Sequence, residues 1–286
     1  MQRCSARAPR AATRSRRRPR RGRARGRTRR DAEAPTARSR AAERKDQEVA
    51  ITIGLAQSYI LRLELDEAEP LVERVTELAE ESGSVVGRAE ALLARASLEN
   101  FRGNEADAEA AYTTARTLFH EVGNTAAEAG ATMQIGRLAM VRGDLTRAEK
   151  LLAEAVRTMK GLNDRAKLCE AQRSLGEVYV HLGRLEEAER LALEARESVG
   201  PEDRVSLSTT KASLAVVRAA QGRDDEAEHL LREAVDELER HQLRAIERWA
   251  LRRLVAFYRE RDRDDDAVGY EARLAELSPS STAPIA

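Results

Sequence analysis

Apolar positions along the chain recur with a period of 40 residues. A small apolar residue marks each period, and in the first five copies a glutamate follows it directly: the marked residues are Ala68, Ala108, Ala148, Ala188, Ala227 and Ala267. Four of the steps between them are 40 residues long and one is 39. A fixed period in this range is typical of solenoids, in which each unit buries its apolar face against its neighbours.

Each period contains the pattern of two helices joined by a tight turn. In four units a glycine stands five residues before the marked alanine, at Gly103, Gly143, Gly183 and Gly222. Glycine readily adopts the left-handed conformation that ends a helix, so we expect the first helix of each unit to end there. Seven residues after the marked alanine comes a second small or aliphatic residue on the same helix face, at Val75, Ala115, Ala155, Ala195, Ala234 and Leu274. The pattern predicts about six helical hairpins whose helices approach closely.

Composition favours the same all-α fold, because aromatic residues make up only 3% of the chain and charged residues 35%. The cysteines, Cys4 and Cys169, lie far apart without metal-binding spacing, which indicates a reducing, cytoplasmic environment. The sequence contains neither an apolar run long enough for a membrane helix nor an apolar segment behind the N-terminal arginines, so we expect no membrane contact and no secretory signal.

The net charge of +1 conceals two regions of opposite sign. Residues 1–40 contain 16 Arg against Asp31 and Glu33, whereas the remainder contains 34 basic and 47 acidic residues. Because residues 14–30 lack Leu, Ile, Val and aromatic side chains, we expect residues 1–42 to be a disordered tail. Three interpretations of it stay open: an inert leader from a misplaced start site, non-specific attachment to nucleic acid, or a mitochondrial transit peptide. We expect residues 278–286 to be disordered too.

The repeat resembles the tetratricopeptide repeat, in which Leu-Gly is followed at fixed distances by Tyr, Ala and Ala. The match is closest in the fourth unit, through Leu175, Gly176, Tyr179, Ala188 and Ala195. The other units keep a small residue at the position of the first glycine: Ala56, Ala96, Gly136 and Ala215. The resemblance implies a right-handed superhelical solenoid over residues 43–277.

The unit length departs from the family's usual length of about 34 residues. A period of 40 residues leaves room in each hairpin either for longer helices or for an extended connection. Long units of this kind are similar to those attached to multidomain bacterial regulators, including transcription factors and nucleotide cyclases with an ATPase module.

The resemblance also implies where a ligand would bind, because the first helix of each tetratricopeptide unit lines a concave groove. Counting from the marked alanines places the following candidates there: Leu93, Ser97, Asn100, Phe101, Met133, Arg137, Met140, Arg173, Glu177 and His181. No unit holds the Lys and Asn with which some members clamp a terminal carboxylate. Arg137 and Arg173 are the nearest substitutes and suit an acidic peptide. For the apolar candidates, packing inside the solenoid is the competing interpretation.

Catalytic and metal-binding motifs are absent from the sequence. The four histidines lack metal-ligand spacing, and the glycine-rich motifs that hold phosphates or position a nucleophile do not occur. We interpret the many carboxylates as solvated pairs within helices. The sequence therefore predicts a non-catalytic scaffold that binds a protein or peptide, without cofactor or metal. The alternative is the regulatory part of a larger bacterial signalling protein whose effector domain lies outside this chain. A third hypothesis is a scaffold attached to nucleic acid by the Arg-rich tail.

Overall fold

The computed structural model describes residues 37–277, which form twelve α-helices and no strand. The predictions for the Arg-rich tail up to residue 36 and for residues 278–286 lie outside this range, and the predicted solenoid boundary at residue 43 falls within the first helix. The helices are α1 (Ala37–Leu61), α2 (Leu65–Ser82), α3 (Val85–Arg102), α4 (Glu105–Glu121), α5 (Thr125–Val141), α6 (Leu145–Leu162), α7 (Arg165–His181), α8 (Leu185–Ser198), α9 (Arg204–Ala220), α10 (Asp224–Arg240), α11 (Arg244–Arg259) and α12 (Asp264–Glu276).

Consecutive helices pair into the six hairpins that the sequence predicted, from α1 with α2 to α11 with α12. The first helices of neighbouring hairpins also touch, as in α7 with α9 and α9 with α11, which places the odd-numbered helices on the inner, concave side. Helix α1 contacts α11 as well. The array therefore curves until its first and last inner helices lie beside each other.

The periodic alanines form the contact between the two helices of each hairpin. All six marked alanines, from Ala68 to Ala267, are completely buried. The small or aliphatic residues seven positions later are also buried in the first five hairpins, whereas Leu274 in the sixth is partly buried. Side chains of this size let the helix axes approach closely, so the periodic alanines in the sequence correctly predicted where the two helices of each hairpin pack.

The turns show how a unit of 40 residues is built. The four predicted glycines have φ between 73° and 85°, and Leu63 and Asp262 adopt the same left-handed conformation at the equivalent place in the first and last hairpins. Left-handed residues also follow four of the second helices, at Gly83, Gly123, Asn163 and Gln242. A helix and its short turn thus recur about every 20 residues. The extra length relative to a usual tetratricopeptide unit lies in the helices rather than in an extended connection.

The glutamates that follow the marked alanines bind arginines of the next hairpin. In each of the first five hairpins this glutamate accepts from an arginine of the hairpin that follows, and we call this series the inter-hairpin ladder; its pairs are Glu69 with Arg102, Glu109 with Arg142, Glu149 with Arg184, Glu189 with Arg218 and Glu228 with Arg263. These contacts span 29 to 35 residues. The expectation that such carboxylates pair only within their own helices was therefore wrong for this series.

Helix α1 exposes an apolar face that the later inner helices bury. Ile51 is 74% exposed and Leu55 is 47% exposed. One period later, Ala91 at the position of Ile51 is 4% exposed, and two periods later Ile135 at the position of Leu55 is 1% exposed. In those later hairpins the preceding hairpin packs over the position. Among the described residues, no hairpin precedes α1 to cover Ile51 and Leu55.

Candidate ligand-binding groove

The ten predicted groove residues lie on three inner helices. Helix α3 carries the four from Leu93 to Phe101, α5 carries Met133, Arg137 and Met140, and α7 carries Arg173, Glu177 and His181. These helices are inner ones, because α3 contacts α1, and α5 and α7 contact each other. The candidates therefore share one side of the array, but their environments differ.

The apolar candidates mainly complete the core. Met133 is 2% exposed and belongs to the cluster around Leu152 and Met159, so it is a core residue and is not accessible to a partner. This corrects its assignment to the groove wall. Met140 packs partly buried against the same cluster, and Leu93 and Phe101 pack partly buried against neighbouring clusters.

The remaining candidates on α3 and at the end of α7 are polar and separate from one another. The Ser97 hydroxyl lies 3.2 Å from the Tyr112 hydroxyl. Asn100 is half-buried near the end of α3, where its carbonyl accepts a hydrogen bond from the Gly103 amide. His181 is exposed at the last residue of α7. None of these three forms a shared site with the others.

Arg137 and Arg173 lie in a charged region that continues from α5 to α11. The Arg137 guanidinium is 3.0 Å from Glu170 on α7, and both side chains are about one-third exposed. The same two charges act on Tyr112, whose pKa is raised mainly by burial. Polar groups of the second, third and fourth hairpins therefore follow one another along the concave side.

The indole ring of Trp249 on α11 contacts two arginines from different hairpins. The Arg173 guanidinium lies 4.5 Å from the centre of the indole ring, and the Arg253 guanidinium lies 3.8 Å from it. A guanidinium over an indole face is attracted by the ring quadrupole, and the attraction grows when water is excluded. The stack thus joins the fourth and sixth hairpins across α9.

Glu177 completes this connection by binding Arg253, 76 residues away. Both side chains are largely buried, at 18% and 16% exposure. Burial lowers the pKa of Arg253 to about 10 and lowers the pKa of Arg173 as well. We call the six residues Arg137, Glu170, Arg173, Glu177, Trp249 and Arg253 the arginine–tryptophan cluster.

A narrow recess lies beside this cluster, and only about 10 Å³ of it is open to the centre of a water molecule, which is room for about one water-sized group. Its charged walls are Arg173, Glu177 and Arg253, and its apolar walls come mainly from α8 and α9, at Ala188, Ala192, Val216 and Val217. Ser213 on α9 also lines it, and the Ser213 hydroxyl donates to the Thr209 carbonyl of its own helix. The recess therefore combines cationic groups with a wall that excludes water.

Sequence reasoning did not include Trp249, Arg253 or Ser213 among the groove residues. Trp249 stands 40 residues after Thr209 on the inner helix α9, so carrying the count of inner-helix positions into the sixth unit would have found it. Arg253 has no such signal, because it reaches Glu177 only through the curvature of the array.

Two further properties bear on what the groove can do. Within residues 37–277, no group of three or more His, Cys, Asp or Glu side chains is placed to hold a metal ion. The same residues include no helix that is both long and apolar enough to cross a membrane.

Comparison with known proteins identifies the repeat. Residues 128–199 match the family model described as tetratricopeptide repeat. A search of curated proteins gave no match. Among solved structures, aspartyl phosphate phosphatase F from Bacillus subtilis is similar at 15% identity with a TM-score of 0.66, over 81% of this chain and 60% of that one.

Two other solved structures share the fold. A Rap protein complexed with competence and sporulation factor is similar at 14% identity and a TM-score of 0.60, over 81% of this chain and 76% of that one. A signal transduction ATPase with a tetratricopeptide repeat sensor, from Pyrococcus horikoshii, is similar at 16% identity and a TM-score of 0.51, over 82% of this chain and 38% of that one. Residues 128–199 therefore carry the tetratricopeptide repeat signature, and residues 37–277 share the helical-hairpin fold of these solved structures.

Proposed function

We propose that the chain is a non-catalytic scaffold that binds a peptide or an extended protein segment on its concave side. The observation that carries the proposal is the convergence of polar groups from successive hairpins on that side. Arg137, Arg173 and Glu177 come from two different inner helices, and Trp249 and Arg253 join them from a third. A surface made by several repeats suits a ligand that contacts them in turn.

The fold neighbours support a binding role without specifying the ligand. The Rap structure contains a protein of this fold complexed with competence and sporulation factor. Here, by analogy, the ligand would lie along the polar side chains from Ser97 to Arg253, with the half-buried apolar residues Leu93 and Met140 at its borders. No cofactor or metal enters this function.

Peptide selection from a random display library tests the proposal. Peptides selected on the wild-type chain are titrated against a groove variant, Arg137→Glu with Arg173→Glu, and against a charge-matched outer variant, Arg157→Glu with Arg190→Glu. Arg157 and Arg190 are exposed on second helices. We expect at least about tenfold weaker binding by the groove variant, which corresponds to about 1.4 kcal/mol, and unchanged binding by the outer variant. Equal binding by a groove variant with wild-type circular dichroism would refute the groove assignment.

The second candidate function is a regulatory segment of a larger signalling protein. The open apolar face of α1 favours it, because Ile51 and Leu55 stand where later hairpins are covered by a neighbour. The tetratricopeptide sensor of the Pyrococcus horikoshii ATPase is an example of such an arrangement in another protein. The intact mass of the native protein tests this candidate: a mass well above 31.7 kDa would support it, and a mass of 31.7 kDa would contradict it.

A further inference from the structure

We propose that the recess beside Arg173 binds the carboxylate of an acidic side chain on the peptide ligand. This inference rests on the proposed function and names the chemical group that the groove selects. It depends on three features of the described residues: an excess of positive charge, unused hydrogen-bond donors, and a wall of small apolar side chains.

The arginine–tryptophan cluster contains three cationic groups and two carboxylates. Arg137 is paired with Glu170, and Arg253 is paired with Glu177. Among residues 37–277, no carboxylate oxygen lies within 4.0 Å of the Arg173 guanidinium, although Glu170 and Glu177 attract it from farther away. Arg173 stacks on Trp249 but has no anionic partner at this distance, and a half-buried guanidinium in this state has lost hydration that an incoming anion would replace. The cluster therefore has one positive charge that its own carboxylates do not pair.

Unused donors point to the same place. The Arg253 Nε atom is buried and has no hydrogen-bond acceptor, while the two other nitrogens of this guanidinium bind the Trp249 carbonyl and Glu177. Buried donors of this kind are uncommon in folded proteins, because each lacks the hydrogen bond it would make in water. Arg173 and Arg253 both line the recess, so an oxygen placed between them would meet donors from two hairpins.

The size of the recess suits a single carboxylate oxygen. Its apolar lining consists of Gly176, Ala188, Ala192, Val216 and Val217, and the open space is that of about one water-sized group. An Asp or Glu side chain would place one oxygen there while its methylene groups stay at the mouth. Glu177 does not repel it strongly, because Arg253 already neutralises Glu177. The arrangement differs from a Lys and Asn clamp, since the helix positions concerned hold Arg173 and Glu177.

Trp249 provides a direct measurement, because it is the only tryptophan in the chain and forms part of the cluster. The wild-type chain is titrated with acetyl-tetraglutamate amide and, as the neutral match, with acetyl-tetraglutamine amide, while Trp249 fluorescence is recorded. We expect a saturable change with the glutamate peptide only. The variant Arg173→Gln should weaken this binding at least about tenfold, and Arg157→Gln on the outer side of α6 should leave it unchanged.

Calorimetry on the same samples gives a second measurement that does not depend on the environment of Trp249. Acetate and inorganic phosphate are titrated as well. Phosphate binding as strong as that of the glutamate peptide would overturn the assignment to a carboxylate, and so would equal binding by the glutamine peptide. Absence of binding by the glutamate peptide, while library-selected peptides still depend on the groove, would overturn this inference and leave the proposed function standing. Groove-independent binding by all selected peptides would instead overturn the proposed function.

Discussion

Gly136 and Gly176 occupy the same position in successive inner helices, yet alanine should have opposite effects at the two sites. Both lie inside helices, at the position where other hairpins carry Ala56, Ala96 and Ala215. In a helix interior, alanine is favoured over glycine by about 0.8–1.0 kcal/mol. The difference between the two sites is the space available for one methyl group.

At Gly176 this methyl group fits. A Cβ atom would lie 3.5 Å from the Ala188 carbonyl oxygen and 3.7 Å from the Leu191 Cβ, which are ordinary contacts. At Gly136 the Cβ would lie 2.9 Å from the Leu152 Cγ and 3.2 Å from the Leu151 Cβ. Leu152 is fully buried, and the contact is with its branching carbon, so the neighbour cannot simply turn away.

Overpacking of a buried site costs about 1–3 kcal/mol. We therefore expect Gly176→Ala to raise the free energy of unfolding by about 1 kcal/mol, whereas Gly136→Ala lowers it by up to about 2 kcal/mol after the gain in helix propensity. Urea unfolding followed by far-ultraviolet circular dichroism measures both. If Gly136→Ala is as stabilising as Gly176→Ala, the close packing of α5 on α6 at this point is refuted.

Three further predictions concern the ladder, the first turn and the buried thiol. Side-chain contacts from the following hairpin hold the pKa of four ladder glutamates below the ordinary value of 4.5: arginines do so for Glu69, Glu109 and Glu228, and the Gln221 amide together with Arg218 does so for Glu189. As pH falls through 4.5, the unfolded chain binds protons before the folded chain does, so acid should lower the urea midpoint of unfolding. Replacing all four glutamates by Gln should make the urea midpoint depend less on pH. An equally steep pH dependence in this variant would contradict the prediction. Leu63 has φ of 61°, a conformation that costs a leucine more than a glycine, so Leu63→Gly should raise the free energy of unfolding by up to about 1 kcal/mol. Urea unfolding measures this, and a loss of stability would contradict it. Burial raises the pKa of Cys169 to about 11, so in a Cys4→Ser background an aromatic disulfide reagent should react at pH 8 only after unfolding; prompt reaction of the native chain would show that the thiol is accessible.

The parts of the fold that depend on local spacing were predictable from the sequence. The buried alanines and the left-handed glycines such as Gly143 recur at fixed distances, and each position has one structural requirement, small size or positive φ. The period alone did not decide between longer helices and longer connections. A turn can also be made without glycine when the fold imposes it, as at Leu63 and Asp262.

The candidate site was predictable only in part, because it depends on how far the array bends. Counting positions along a helix placed Arg137 and Arg173 on the inner side. It also placed Met133 there, although the packing of α5 on α6 and α7 buries that side chain. The contact between Glu177 and Arg253 passes over a whole intervening hairpin, and no local pattern reports such a distance.

The inter-hairpin ladder gives the array a direction. At every junction the carboxylate comes from the hairpin nearer the N-terminus and the guanidinium from the one that follows, so two hairpins stacked through equivalent faces would place like charges together. In the sixth copy Val268, which is 59% exposed, replaces the glutamate. Any helical hairpin that stacked on this end would meet a valine where each earlier hairpin offers an acid, and would have to be held there by different chemistry.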